Sequence, residues 1–325
     1  MKPVLIAILL MASLKITAGI APEKLLLTSL NGPVVAFEGR QHSVVNMDNG
    51  QAVGDVKVQA NGKGSVRREY LTGPAKGVVW LQTKSAVWQR AGSGPWTHLP
   101  SIVDPQSLTV AQMMHNYKLT FSHAEIMLGR KAIPVMITPR QTYNPSRRLW
   151  LEPETGIILK DQFFAPDGRV RSSSVYMSLS QAVQPANLFK VPREATEPDL
   201  FGPASFSPRG SPAEVERESG RPVLLPAHVP SGFRPVLYGI MHTGSGRKMP
   251  AVRYSDGLAA FTLFQRGWGA GNGAGRRGRG PGGGNCVGQS GLQQSVVTIS
   301  GQRSNYILMG DIAMAELERI ARSLP

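Results

Sequence analysis

The sequence predicts an α+β fold in two parts. The larger N-terminal part reads as an unclosed antiparallel β-barrel with helices, and the smaller C-terminal part as an α+β domain. Three observations predict this. The first is a β-meander in Arg147–Arg171, RRLWLEPETGIILKDQFFAPDGRVR. Strand-like runs at Arg147–Leu151 and Ile157–Phe164 flank Glu152-Pro153-Glu154-Thr155-Gly156, and Pro166-Asp167-Gly168 hands on to a third run, Val170–Leu179. Proline presets φ at such turns and glycine supplies positive φ without steric cost. Both faces of this meander carry apolar residues, so both must be covered, one by a core and the other by a helix, a partner or an apolar ligand. The second observation is a break in texture from about Gln184 to Pro222, where prolines sit among Ser, Gly, Glu and Arg and read as a linker. The third is a strand-rich stretch after Pro222 that closes on an amphipathic segment.

In chain order, Glu23–Leu30 (EKLLLTSL) predicts a short amphipathic helix. Val34–Met47, Gln51–Ala60 and Ser65–Leu71 read as successive strands joined at Asp48-Asn49-Gly50 and Asn61-Gly62-Lys63-Gly64. Gly77–Leu81 and Ser85–Arg90 continue the pattern, with Trp80, Trp88 and Trp96 in or beside it. Ala91–Pro105 is a Gly/Pro-rich loop, and Gln106–Asn116 reads as a helix bearing Met113 and Met114. Strands resume at Ile126–Gly129 and Lys131–Thr138, ahead of the meander. The domain boundaries read 22–184 for the barrel, 185–221 for the linker and 222–325 for the second domain. That second domain carries strands at Pro235–Met241, Val252–Tyr254, Leu258–Arg266, Ser295–Ser300 and Tyr306–Met309. A helix at Ile312–Ser323 follows, with Asp311 as its expected N-cap. Between the strands, Gly267–Gly291 has twelve glycines in 25 residues together with Arg276, Arg277 and Arg279, and reads as a low-complexity insertion.

Composition narrows the function classes. The chain has 325 residues, a net charge of +15 and a pI of about 10.3, which favours acidic partners or anionic lipid. Met1 and Lys2, the apolar run Pro3–Leu14 and the small residues around Ala18 and Gly19 read as a secretory signal peptide over residues 1–21. Export argues against a nucleic-acid partner. Cys286 is the single cysteine, so an intrachain disulfide and a cysteine-based zinc site are excluded.

Catalytic and cofactor signatures are absent from the sequence. The six histidines form no HExxH, although His115 and His123 lie near Glu125. Ser255 in Tyr254-Ser255-Asp256-Gly257-Leu258 lacks the Gly-x-Ser-x-Gly frame of a nucleophile elbow. It reads instead as a turn in which Ser and Asp bond the local backbone and Gly takes the positive φ. The reading is a binding protein, with no cofactor and no enzymatic activity.

Several motifs carry a family resemblance. LPAHVPSGF (Leu225–Phe233), YSDGLAAFTLF (Tyr254–Phe264) and YILMGDIAMAELERIARSL (Tyr306–Leu324) resemble, in the same order, the C-terminal domain of the RseB/MucB family of periplasmic sigma-E regulators. Arg148, Leu149, Trp150, Leu151, Thr155, Gly156, Leu159 and Lys160 resemble its N-terminal domain, which is similar in fold to the lipoprotein carriers LolA and LolB. The Gly-rich insertion departs from the family pattern, which has a shorter loop there. The resemblance implies a periplasmic regulator that binds the periplasmic segment of a membrane-bound anti-sigma factor and senses an amphiphilic lipid or lipopolysaccharide. Self-association into a homo-oligomer stays open. On this reading Tyr254, Asp256 and Phe261 define the partner-binding face of the small domain. Trp80, Trp88, Met113, Met136 and Trp150 are candidate walls of an apolar ligand cavity. The alternative is a periplasmic carrier of lipids or lipoproteins that uses the half-barrel alone.

Overall fold

The computed structural model describes residues 21–30, 32–47, 50–83, 87–99, 114–190, 205–242, 247–266, 295–300 and 305–325. The signal-peptide segment, Met113, most of the expected helix at 106–116, the Gly-rich insertion and Cys286 lie outside these residues.

A helix, α1 (Pro22–Leu30), leads into twelve strands of one antiparallel sheet. They are β1 (Ala36–Met47), β2 (Gly50–Asn61), β3 (Val66–Tyr70), β4 (Val78–Gln82), β5 (Val87–Ala91), β6 (Thr97–Leu99), β7 (Tyr117–Phe121), β8 (Glu125–Met127), β9 (Arg130–Pro139), β10 (Ser146–Leu151), β11 (Ile158–Phe164) and β12 (Val170–Ser180). The order is β6-β5-β4-β3-β2-β1-β12-β11-β10-β9-β7, with β8 also on β9. The first and last long strands meet in the middle at β1–β12, and no ladder joins β6 to β7 among the described residues, so the barrel is unclosed.

Register fixes which residues share a face, because directly opposed residues point the same way and neighbours along a strand alternate. Tyr70 opposes Val56, Val56 opposes Gln41, Ser43 opposes Ser174, Ser174 opposes Asp161, and Asp161 opposes Leu149. One face therefore runs from Tyr70 to Leu149. At its β10 end Leu149 and Leu151 pack with Leu25 and Leu26 of α1. At its β2–β3 end Phe37, Val56, Val58, Ala60 and Tyr176 form a second cluster. That second cluster extends to Ile157, Leu159 and Trp150 of the β10–β11 region, and polar contacts interrupt the face between β1 and β10. There Gln41 Nε2 donates to Ser174 Oγ (3.1 Å), and Arg147 grips Asp161 with Nε and Nη2 at 2.9 and 2.6 Å.

The second sheet runs β13 (Ser205–Arg209), β14 (Arg234–His242), β15 (Lys248–Ser255), β16 (Ala260–Arg266), β18 (Asn305–Gly310), β17 (Ser295–Ser300). A helix α2 (Pro212–Ser219) packs on β13 to β15, and α3 (Met314–Arg322) packs on β17 and β18. One core joins Val252, Tyr254, Phe261, Leu263, Tyr306 and Leu308 of the sheet to Leu317, Ile320 and Ala321 of α3.

Three expectations change. Residues 205–219, read as linker, form β13 and α2 and belong to the second sheet. The linker reading rested on proline content, but Pro212 sits at the first helical turn, where a missing N–H costs nothing. Strand β7 was not expected from the sequence. Last, α3 begins two residues later than expected. Its N-cap is Ala313, not Asp311, and the Ala313 N–H donates to the Tyr143 carbonyl at 2.8 Å.

Candidate functional site at the junction of the two sheets

The turn Ser255-Asp256-Gly257 between β15 and β16 is built as its composition suggests. Ser255 Oγ accepts the Gly257 N–H, Asp256 Oδ1 accepts the Leu258 and Ala259 N–H groups at 3.0 and 2.8 Å, and Gly257 has φ +105°. Its second oxygen faces the other domain. Tyr117, at the start of β7, donates its phenolic O–H to Asp256 Oδ2 at 2.7 Å, and Asn144 donates Nδ2 to the same oxygen at 2.8 Å. Asn116 donates to the Asp256 carbonyl at 3.0 Å. The large sheet thus holds the small one through one carboxylate that is only 4% exposed.

Electrostatics sharpen this picture. Burial raises the Asp256 pKa, and the hydrogen bonds from Leu258, Tyr117 and Ala259 oppose that rise only in part. Burial, followed by the neighbouring Asp256 charge, pushes the Tyr117 phenol far above its ordinary value, so it stays a donor. Packing is close. Gly232 has φ +86°, and a Cβ there would lie 2.2 Å from Asn116 Oδ1, so any side chain would wedge the junction open.

Beside this contact lies an open cleft of about 180 Å3, lined by His115, Asn116, Arg140, Gln141, Asn144 and Ser231. Asn144 is 3% exposed, and its Oδ1 has no hydrogen-bond partner among the described residues. Its orientation is set by Asp256, because the amide nitrogen, not the oxygen, must face a carboxylate. Arg140 gives two nitrogens to the Met114 carbonyl at 3.3 Å each and lines the cleft. The cleft thus offers a cation, amides and a hydroxyl. That set suits a polar chain segment carrying both N–H groups and a carboxylate.

The residues singled out from sequence do not form one site. Trp80 opposes Arg68 on β3 and so shares the α1-covered face with Tyr70, against whose ring it packs edge-on at 6.2 Å. Trp88 opposes Leu81 and lies on the other face. Trp150 also points away from Leu149 and Leu151. It shares its face with Arg148, which opposes Met136, and with Lys160, which it opposes. Arg148 and Lys160 lie 4.7 and 4.4 Å from the Trp150 ring centre, and the indole N–H donates to Glu125 at 3.0 Å. Trp80 and Trp88 thus lie on opposite faces, while Trp150 joins the packed cluster of Phe37, Val56 and Tyr176. Period-2 alternation holds this information, but apolar residues on both faces blur it. Tyr254 and Phe261 stack at 4.8 Å inside the small core, so in this chain they shape a face from within. Ser255 is committed to its turn, and no metal-binding group of three or more His, Cys, Asp or Glu occurs among the described residues. Sequence reasoning missed Tyr117, Asn116 and Asn144. No local motif marks them, because their role exists only once the two sheets meet.

Comparison with known proteins follows the same two-part division. Residues 56–198 match the family model of the MucB/RseB N-terminal domain. Three solved structures align over both domains. The Pseudomonas aeruginosa MucA/MucB complex matches with TM-score 0.59 at 14% identity, over 93% of this chain and 96% of that one. MucB in complex with MucA(peri) gives 0.56 at 16%, covering 93% and 96%, and MucB alone gives 0.54 at 16%, covering 92% and 96%. At such identities the likeness is one of fold. A search of curated proteins finds no match. Residues 56–198 thus match that N-terminal domain, as the motifs at Arg148–Lys160 led us to expect.

Proposed function

We propose that this chain is a member of the MucB/RseB family and an exported binding regulator. It holds the periplasmic segment of a membrane-bound anti-sigma factor and releases it when an amphiphilic lipid or lipopolysaccharide binds. The observation that carries the reading is the junction cleft. There a buried, singly bonded amide at Asn144 and the Arg140 cation face a groove shared by both sheets. Support also comes from the solved relatives, in which MucB is seen with MucA across the same two-domain frame. The excess of basic residues suits an acidic segment and would speed its capture. No helix among the described residues is long and apolar enough to cross a membrane, which fits a chain that meets its partner outside the bilayer.

The lipid step belongs on the α1-covered face of the large sheet. Its aromatic end, with Phe37 edge-on to Tyr176 at 5.9 Å and Tyr70 to Trp80, is already packed. An acyl chain would enter by displacing α1 or parting these rings. Titrating the mature chain with the extracytoplasmic segment of the co-encoded anti-sigma factor, with and without lipid, tests both halves. Tight binding that lipid weakens is expected. Lipid uptake with no segment binding would leave a lipid or lipoprotein carrier instead.

A further inference from the structure

The β8–β9 hairpin turns on Leu128-Gly129, with φ +52° and +71°. Two successive positive φ values give the primed turn that matches strand twist, and Asn-Gly is the pair that adopts it most easily. Leucine is disfavoured there, since its Cβ crowds the backbone in the left-handed region. Leu128 is the only non-glycine with positive φ among the described residues. Nothing in the fold repays this strain, because the Leu128 side chain stays 43% exposed. Its neighbour Ile126 is 74% exposed. The hairpin is nonetheless fixed at its base. Arg130 donates to Glu152 at 2.7 Å, Glu125 holds the Trp150 indole, and Met127 packs inward. Ile126 faces outward opposite Lys131, which is also exposed.

A rigid point that displays two branched aliphatics beside a lysine has the form of an interfacial anchor. We propose that the 125–131 hairpin inserts Ile126 and Leu128 into the headgroup layer of an anionic bilayer, with Lys131 at the phosphate level. The patch is too small and too projecting for the core of a stable protein interface. Charge favours an anionic surface. Arg130, Lys131, Arg148 and Lys160 outnumber Glu125 and Glu152 on the hairpin and its base, and the whole chain carries +15. The inference rests on the exported reading above but not on partner binding, and the two fail separately.

The test is co-sedimentation of the mature chain with vesicles of phosphatidylglycerol in phosphatidylcholine, against phosphatidylcholine alone. The wild type should bind the anionic vesicles preferentially. Ile126→Asp and Leu128→Gly should each weaken that binding roughly tenfold or more. Leu128→Gly should also raise the melting temperature, because it relieves the turn, so lost binding cannot be blamed on unfolding. Absence of wild-type binding, or variants that bind as the wild type does, overturns the anchor. Variants that keep vesicle binding but lose affinity for the anti-sigma segment would place the tip in a protein interface and overturn it equally.

Discussion

In the small sheet one continuous core runs from Phe233 through Phe261 and Leu308 to Leu317 and Ile320 of α3. In the large sheet the apolar residues fall into two clusters, and polar contacts, Gln41–Ser174 and the Arg147–Asp161 ion pair, interrupt the same face. Strands in both sheets pair antiparallel, so the ladder does not explain the difference. Side-chain chemistry along the inner face does. A core without polar interruption closes over itself and has one way to pack, whereas two clusters on a face interrupted by polar contacts can respond separately. The small domain is thus suited to present a fixed shape, and the large one to change when a ligand enters.

The sharpest way to break this comparison is to damage one core and watch the other. Leu317→Ala in α3 removes a fully buried side chain and should cost about 2–5 kcal/mol. Calorimetry should show the small domain melting earlier while the transition of the large sheet keeps its position. A common shift of both transitions would mean that the two sheets fold as one unit and the contrast drawn here is wrong.

A smaller effect is expected at the junction. Tyr117→Phe leaves one oxygen of Asp256 with a single donor, Asn144, and should cost about 1–2 kcal/mol. Because that bond crosses between the domains, the variant should widen the gap between their two melting transitions. An interior hydrogen bond of equal strength would shift only one.

The smallest effect is in pH dependence. Asp256 has a raised pKa in the folded state, mainly from burial, so the folded chain keeps this proton to higher pH than the unfolded chain does. Its contribution to stability is therefore fully present below the unfolded carboxylate pKa and falls as pH rises through the window up to the raised value. Glu218 has the opposite sign. The hydrogen bond from Arg209 lowers its pKa, so its contribution is lost as pH falls through that lowered value. Asp256→Asn should flatten the first dependence and leave the second, as read from denaturation midpoints across the acidic range.

How much of this was legible in the sequence follows the same division between local and long-range information. The meander at 147–179 could be read because its turns are written in Pro, Asp and Gly next to the strands they join. The turn at Ser255-Asp256-Gly257 was legible for the same reason, down to which groups bond the backbone. Helix α2 carried its signals in full. Ser211 caps Glu214, Pro212 follows, and Gly220 closes the helix at φ +68°. The surrounding prolines hid them. Strand β7 and the Tyr117–Asp256 contact had no such local signature, since 139 residues separate the partners. The two tryptophan faces stayed unassigned because Leu149, Trp150 and Leu151 are all buried, which erases the alternation.

The most direct test of the account is hydrogen exchange on the mature chain, with and without the anti-sigma segment. The account predicts new protection at residues 114–117, 140–144 and 256–259, around the cleft, with the interior strands of the small sheet unchanged. Tight binding that leaves those three segments unprotected, and protects the outer strands of either sheet instead, would contradict it.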